Sequence, residues 1–139
     1  MLEIVDSSAG EKPVLFTSTM DLLATTPPFK AFGLERMVRS VQHQIDSNTC
    51  LFGIENGRLC AYLGWILTSR GVVEDWRNND GPLHPAPEAE AIVVTILAVN
   101  SPRAILPMIK KAKTLSHGLP VYWKRIGEDG ISEDIRSVP

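Results

Sequence analysis

Side chains that could move a proton or hold a ligand are few and scattered in this chain. His84 lies between Pro82 and Pro85, and Glu88 and Glu90 follow it. An imidazole that titrates near neutrality, with a carboxylate close behind, is suited to general acid–base chemistry. This stretch is therefore expected either as a solvated connection or as a lid whose histidine reaches a cleft. Thr95 is the sole polar residue in the apolar run Ala91–Val99; a hydroxyl there bonds backbone or faces something bound. Thr26 stands directly before Pro27-Pro28-Phe29, where a hydroxyl serves as a helix-end cap or as a reacting group. In Asn100-Ser101-Pro102-Arg103-Ala104, Ser101 is placed to cap a helix, and Arg103 is either a solvated first-turn residue or a partner for a phosphate. His43, His84 and His117 are far apart, with no second histidine or cysteine ligand at helical spacing, so no metal site is expected.

These residues need elements to position them, and the clearest is a hairpin. Asn56-Gly57 between two apolar runs in TCLFGIENGRLCAYLGWILTS signals a two-residue turn. With Glu55 facing Arg58, a regular ladder sets Phe52 opposite Ala61 and Cys50 opposite Leu63. Cys50, Phe52, Ile54, Leu59, Ala61, Leu63 and Trp65 then share one side, and Leu51, Gly53, Cys60, Tyr62, Gly64 and Ile66 the other. Neither side is polar, which predicts a central hairpin in a sheet covered on both faces. The two cysteines point to opposite faces, which excludes a disulfide between them.

Ahead of the hairpin, Leu34, Met37, Val38, Val41 and Ile45 form one apolar helical stripe, with His43 opposite it among Arg36 and Arg39. The preceding sequence predicts a loose segment to Lys12, a short strand over Pro13–Thr17 and a short helix capped by Ser18-Thr19 that runs through Leu23. Pro27-Pro28 would stop that helix. After the hairpin, Arg70–Ala91 is expected as a long surface connection. Ala91–Val99 is a β-branched interior strand. A helix follows it with Ile105, Met108 or Ile109, Ala112 and Leu115 inward, Gly118 as terminator and His117 in the last turn, and Pro107 demands a kink or a later start. Val121–Ile126 reads as a strand, and Gly127–Gly130 as a turn into one last short strand.

Composition narrows the function classes. The chain has 139 residues, 44% hydrophobic and 22% charged, with a formal net charge of -2. One domain over residues 1–139 is expected, with no electrostatic case for nucleic acid or an anionic membrane surface. No cationic segment precedes an apolar run at the start, and no run is long enough to cross a bilayer, so a cytoplasmic location is expected.

The element order, a hairpin followed by strand, helix, strand, resembles the acyltransferase architecture of the GNAT superfamily: α+β, a mostly antiparallel central sheet flanked by helices on both faces. Thr25-Thr26-Pro27-Pro28-Phe29-Lys30, an amphipathic helix and Ala61-Tyr62-Leu63-Gly64-Trp65 resemble the RTX-toxin-activating lysine acyltransferases, the hemolysin-activating family. That resemblance implies transfer of a fatty acyl group from acyl carrier protein to a lysine of a protein of the RTX-toxin type, with no bound cofactor besides the acyl-carrier donor. A lysine amine with pKa near ~10.4 must lose a proton first, at a cost of roughly 4–5 kcal/mol at neutral pH without a base. The family opens with Ser-Pro-x-His; here Thr26-Pro27 keeps the hydroxyl, and Phe29 occupies the histidine position. The family's strand aspartate has Thr95 as its counterpart, so Thr26 and Thr95 become the catalytic candidates, with His84 and Glu90 as substitute bases. Phe29, Ser101 and Arg103 become candidates for substrate binding. The loop 100–104 lacks the glycines of a coenzyme-A pyrophosphate loop. A catalytically inactive binding or regulatory protein on the same scaffold is the alternative, and a small-molecule acetyltransferase a third. A homodimer is expected through an exposed strand at Val121–Ile126, bearing Tyr122 and Trp123.

Overall fold

The computed structural model describes residues 2–26, 34–79, 81–100, 102–116, 118–126 and 132–138. Among them, one sheet carries six strands in the spatial order of the sequence: β1 (Leu2–Val5), β2 (Cys50–Glu55), β3 (Arg58–Thr68), β4 (Ala91–Val99), β5 (Val121–Ile126) and β6 (Ser132–Val138). Every neighbouring pair is antiparallel except β4 and β5. Four helices accompany it: α1 (Lys12–Thr25), α2 (Leu34–Ser47), α3 (Arg70–Asn79) and α4 (Ile105–Leu115). The expected α+β sheet with helices on both faces is present.

One face packs against α1 and α2. Cys50, Phe52, Tyr62, Ile96 and Ala98 from the sheet meet Leu22, Leu23, Met37, Val41 and Ile45. Further along this face α3 lays Val73 and Trp76 on Ala91 and Val93. The opposite face is covered by α4, whose Met108, Ile109 and Ala112 pack on Leu51, Ala61, Leu63, Trp65, Ile92 and Val94. Each large apolar side chain removed from water in this way contributes about 1.5–3 kcal/mol, so two-sided coverage is what makes an apolar strand such as β4 stable.

The turn at Asn56-Gly57 forms as expected: both residues have positive φ, and Glu55 pairs with Arg58. The register beyond it differs. Cys60 is an extra residue on β3, because Ile54 pairs with Leu59 and Gly53 with Ala61. Phe52 therefore faces Tyr62, and Cys50 faces Gly64. A bulge shifts every later pair by one position. It brings the Phe52 and Tyr62 rings to 5.5 Å between centroids on the α1/α2 face. Cys50 and Cys60 are free thiols, packed with clusters on opposite faces.

Three segments depart from the sequence reading. Leu2–Val5 is an edge strand along β2 rather than loose chain. The expected strand over Pro13–Thr17 belongs to α1, where Pro13 sits in the first turn and needs no amide hydrogen. Burial of Thr19, Leu22 and Leu23 further along the same segment favours the helix. Arg70–Asn79 is helical, held by two buried anchors three residues apart. In α4, Leu115 is exposed rather than inward. The conflict at Pro107 is resolved by a later start: a 3-10 turn over Pro102–Ala104 precedes the helix, so Pro107 falls in its first turn. The Gly118 amide closes the far end by reaching back to the Lys113 carbonyl, with φ at 79°. The expected turn at 127–130 and His117 lie outside the described residues.

Candidate functional site

β4 and β5 part company along their length. Three parallel pairs join them, Ile92 with Val121, Val93 with Tyr122 and Val94 with Trp123, and there the pairing ends. Both continue as strands: β4 stays on β3 through Val99, and β5 stays on β6. Among the described residues, the five residues Thr95–Val99 therefore have no β5 partner over roughly 16 Å of strand at ~3.3 Å per residue. Partly buried Leu97, Val99, Ile105, Leu119 and Trp123 belong to the cluster on its α4 side.

Thr95 sits where the strands diverge, and the backbone is irregular at that point. Gly64 pairs with Ile96 and Trp65 with Val94, so Thr95 is the bulged residue of β4. A bulge leaves its extra residue out of the ladder and re-aims its side chain. Two consecutive residues consequently turn to the α2 side: Ile96 is buried there, while Thr95 is exposed yet bonded to α2.

A buried polar chain supports this threonine. The Tyr62 hydroxyl donates to Gln44 Oε1 at 2.6 Å, and Gln44 Nε2 donates to Thr95 Oγ1 at 2.7 Å. Thr95 Oγ1 in turn lies 3.4 Å from the Gly64 carbonyl oxygen. Gln44 is 2% exposed and Tyr62 fully buried. Burial, reinforced by neighbouring Cys50, holds the Tyr62 hydroxyl well above its ordinary pKa, so it stays a neutral donor. Gly64 makes room for the amide: a Cβ there would stand 1.9 Å from Gln44 Oε1. Burial also pushes the Cys50 thiol up to about 12. The chain of groups is thus made of donors and neutral acceptors, suited to polarising a carbonyl rather than to removing a proton.

The residues singled out from the sequence scatter around this point. Thr95 lies at its centre. Thr26 is the cap residue of α1, and its hydroxyl donates to the Leu22 carbonyl at 2.7 Å, a local role. Its extended backbone is what a following proline imposes. His84 is exposed on the loop after α3, with its ring nitrogen 3.2 Å from the Pro85 carbonyl and its own carbonyl accepting from Thr68. Glu90 accepts from the Arg70 amide at the start of α3. It lines a cavity of about 260 Å³ with Arg70, Glu74, Arg77 and Tyr122, at the closed end of the β4–β5 pair. From there to Thr95 is roughly 13 Å of strand, so neither substitute base is brought to the bulge. Arg103 is exposed in the 3-10 turn ahead of α4. Phe29 and Ser101 lie outside the described residues. His43 is exposed as expected, and among the described residues no metal-binding cluster occurs.

Sequence reasoning missed Gln44 and Tyr62. A signal was present: Gln44 stands seven residues after Met37 and three after Val41, a polar residue on an otherwise apolar stripe.

The fold as a whole superposes on known structures. The chain has a GNAT-like fold. It superposes on the GphF GNAT-like decarboxylase in complex with isobutyryl-CoA with a TM-score of 0.65 at 15% identity, covering 91% of this chain and 67% of that one. The loading GNATL domain of CurA from Lyngbya majuscula gives 0.61 at 6% identity, covering 91% of this chain and 65% of the other. A GNAT-family acetyltransferase from Streptococcus agalactiae gives 0.61 at 14%, covering 92% and 77%. The chain thus spans about two thirds of the first two structures. No family model and no curated protein matches the sequence. The GNAT-like fold expected from the element order is therefore present, while the likeness to the toxin-activating branch rests on the sequence motifs. No helix among the described residues is long and apolar enough to cross a membrane.

Proposed function

We propose that this protein binds an acyl thioester in the opening between β4 and β5, with the thioester carbonyl at Thr95, and passes the acyl group to an amine. The observation that carries this reading is the coincidence of three features at one residue: the end of the β4–β5 pairing, the β4 bulge and the donor chain from Tyr62 through Gln44. An extended thioester arm needs a slot between strands, and its carbonyl needs an unpaired donor where the slot ends.

In the finer form of this reading the donor is an acyl carrier protein and the acceptor a protein lysine, as the Thr26-Pro27 and Ala61–Trp65 motifs suggest. The loop 100–104 supports a carrier-borne phosphopantetheine over free coenzyme A, since it has no glycine and Pro102 removes an amide donor. Arg103, exposed at the start of the crossover helix, would meet the arm's phosphate. A cytoplasmic site of action and pairing of two copies belong to the same reading; β5 lies between β4 and β6 in the sheet rather than at its edge. Incubation with acyl carrier proteins of several chain lengths and candidate acceptor proteins, followed by mass spectrometry of lysines, is expected to give acyl adducts; no adduct with any donor would refute transfer.

A second reading, binding without transfer, is favoured by the chemistry around Thr95, where the bonded partners are an amide and a carbonyl, neither able to deprotonate an amine. Calorimetric titration separates the two. Tight binding of acyl carrier protein without lysine adducts would select the second.

A further inference from the structure

Gln44 fixes which way the Thr95 proton points. A primary amide is polar at both ends, and its orientation is set by whichever end has a committed partner. The fully buried Tyr62 hydroxyl donates to Gln44 Oε1 at 2.6 Å and so commits the oxygen end of the amide. With its oxygen occupied, the amide presents N–H toward Thr95 at 2.7 Å. Thr95 Oγ1 therefore accepts on that side, and its own proton must go elsewhere. The acceptor recorded for it is the Gly64 carbonyl at 3.4 Å, at the long limit of a hydrogen bond. Thr95 is exposed, so an incoming oxygen can offer its proton a shorter bond.

We infer that Gln44 is a positioning residue that holds Thr95 as a hydrogen-bond donor to the carbonyl oxygen of a bound acyl thioester, with Tyr62 setting the direction of the chain. Gly64 belongs to the same device, because any Cβ there would displace the amide. The inference deepens the proposed function and rests on it: the site would read the carbonyl of the ligand, whatever carries the arm.

Two probes isolate that contact: S-acetyl phosphopantetheine, and S-ethyl phosphopantetheine, which has the same chain length without the carbonyl oxygen. One hydrogen bond corresponds to a preference of roughly three- to tenfold. The wild type is expected to favour the acetyl probe by that ratio in a calorimetric or NMR titration. Thr95→Val should abolish the preference. Gln44→Glu should do the same, because a carboxylate accepts from both Tyr62 and Thr95 and draws the threonine proton inward. Tyr62→Phe, which keeps the ring and frees the amide to turn, should reduce the preference and serves if the Gln44 variant does not fold. A merely structural role would weaken both probes together. An undiminished preference in Gln44→Glu or, where that variant fails, in Tyr62→Phe would overturn the role of Gln44 while leaving the cleft intact. Failure of the wild type to bind either probe would overturn the inference together with the proposed cleft.

Discussion

Replacing Gly64 by alanine tests the buried amide chain through stability, independently of any ligand. The new methyl would lie 1.9 Å from Gln44 Oε1, 2.4 Å from Cδ and 2.8 Å from Nε2. No rotation of a methyl relieves such contacts, so Gln44 must leave its position. Two hydrogen bonds go with it, at about 1 kcal/mol each, and the Tyr62 hydroxyl is stranded in the core, adding about 1–3 kcal/mol. Lower entropy of the unfolded chain returns about 0.5–1 kcal/mol. The net loss is therefore about 3 kcal/mol, or roughly 10 °C in Tm for a chain of this size. Urea unfolding followed by tryptophan fluorescence measures it. Gly71→Ala is the control: nothing lies within 4 Å of a Cβ there, and the residue is in the first turn of α3, so it should be neutral or stabilising. The sharper test is coupling. In a Gln44→Ala background the clash is gone, and Gly64→Ala should cost less than about 1 kcal/mol more. Equal costs in both backgrounds, or a loss below about 1 kcal/mol in the wild type, would refute the account.

Further outcomes follow from other sites. Gly57, with φ at 75°, should lose about 1–2 kcal/mol as Gly57→Val, read as a lowered urea midpoint, because a branched side chain resists the left-handed region. Because burial raises the Cys50 thiol from 9.0 to about 12, the native state keeps a proton that the unfolded chain has lost across that interval. Stability should be intact below pH 9 and fall as pH rises toward 12, by up to about 1.4 kcal/mol per pH unit from this group, and Cys50→Ala should flatten the slope. Iodoacetamide at mildly alkaline pH should spare Cys50 in the native protein and modify it after unfolding, as peptide mass mapping would show. Asn48→Ala should cost about 1–2 kcal/mol in thermal unfolding, since its side-chain oxygen accepts from both the amide and the hydroxyl of Ser7 and its φ is 54°.

Local chemistry made much of the architecture readable from the sequence. Asn56-Gly57 can hardly form anything but a tight turn, Ala91–Val99 is too apolar and β-branched for a surface, and Pro27 ends α1 wherever that helix begins. Elements stabilised by partners distant in sequence were harder to see. α3 has two buried anchors, and only their meeting with Ala91 and Val93 makes it a helix. β1 depends on β2, more than 40 residues away, for its hydrogen bonds. Of the candidate residues, Thr95 was legible as a hydroxyl out of place in an apolar strand. Thr26, His84 and Glu90 were chosen for chemical type; in the fold Thr26 bonds the Leu22 carbonyl, His84 lies by the Pro85 carbonyl and Glu90 accepts from the Arg70 amide.

By itself the sequence determined the hairpin turn, the two-sided apolar strands, the amphipathic α2 and hence a sheet covered on both faces, because turn geometry and hydrophobic period are properties of neighbouring residues. The tertiary structure decided the bulges at Cys60 and Thr95, and through them which side chains meet. A bulge is a compromise between strands that must pair and helices that must pack on both faces. That balance brings Gln44 of α2, Tyr62 of β3 and Thr95 of β4 into one chain of hydrogen bonds, from positions that no local pattern connects.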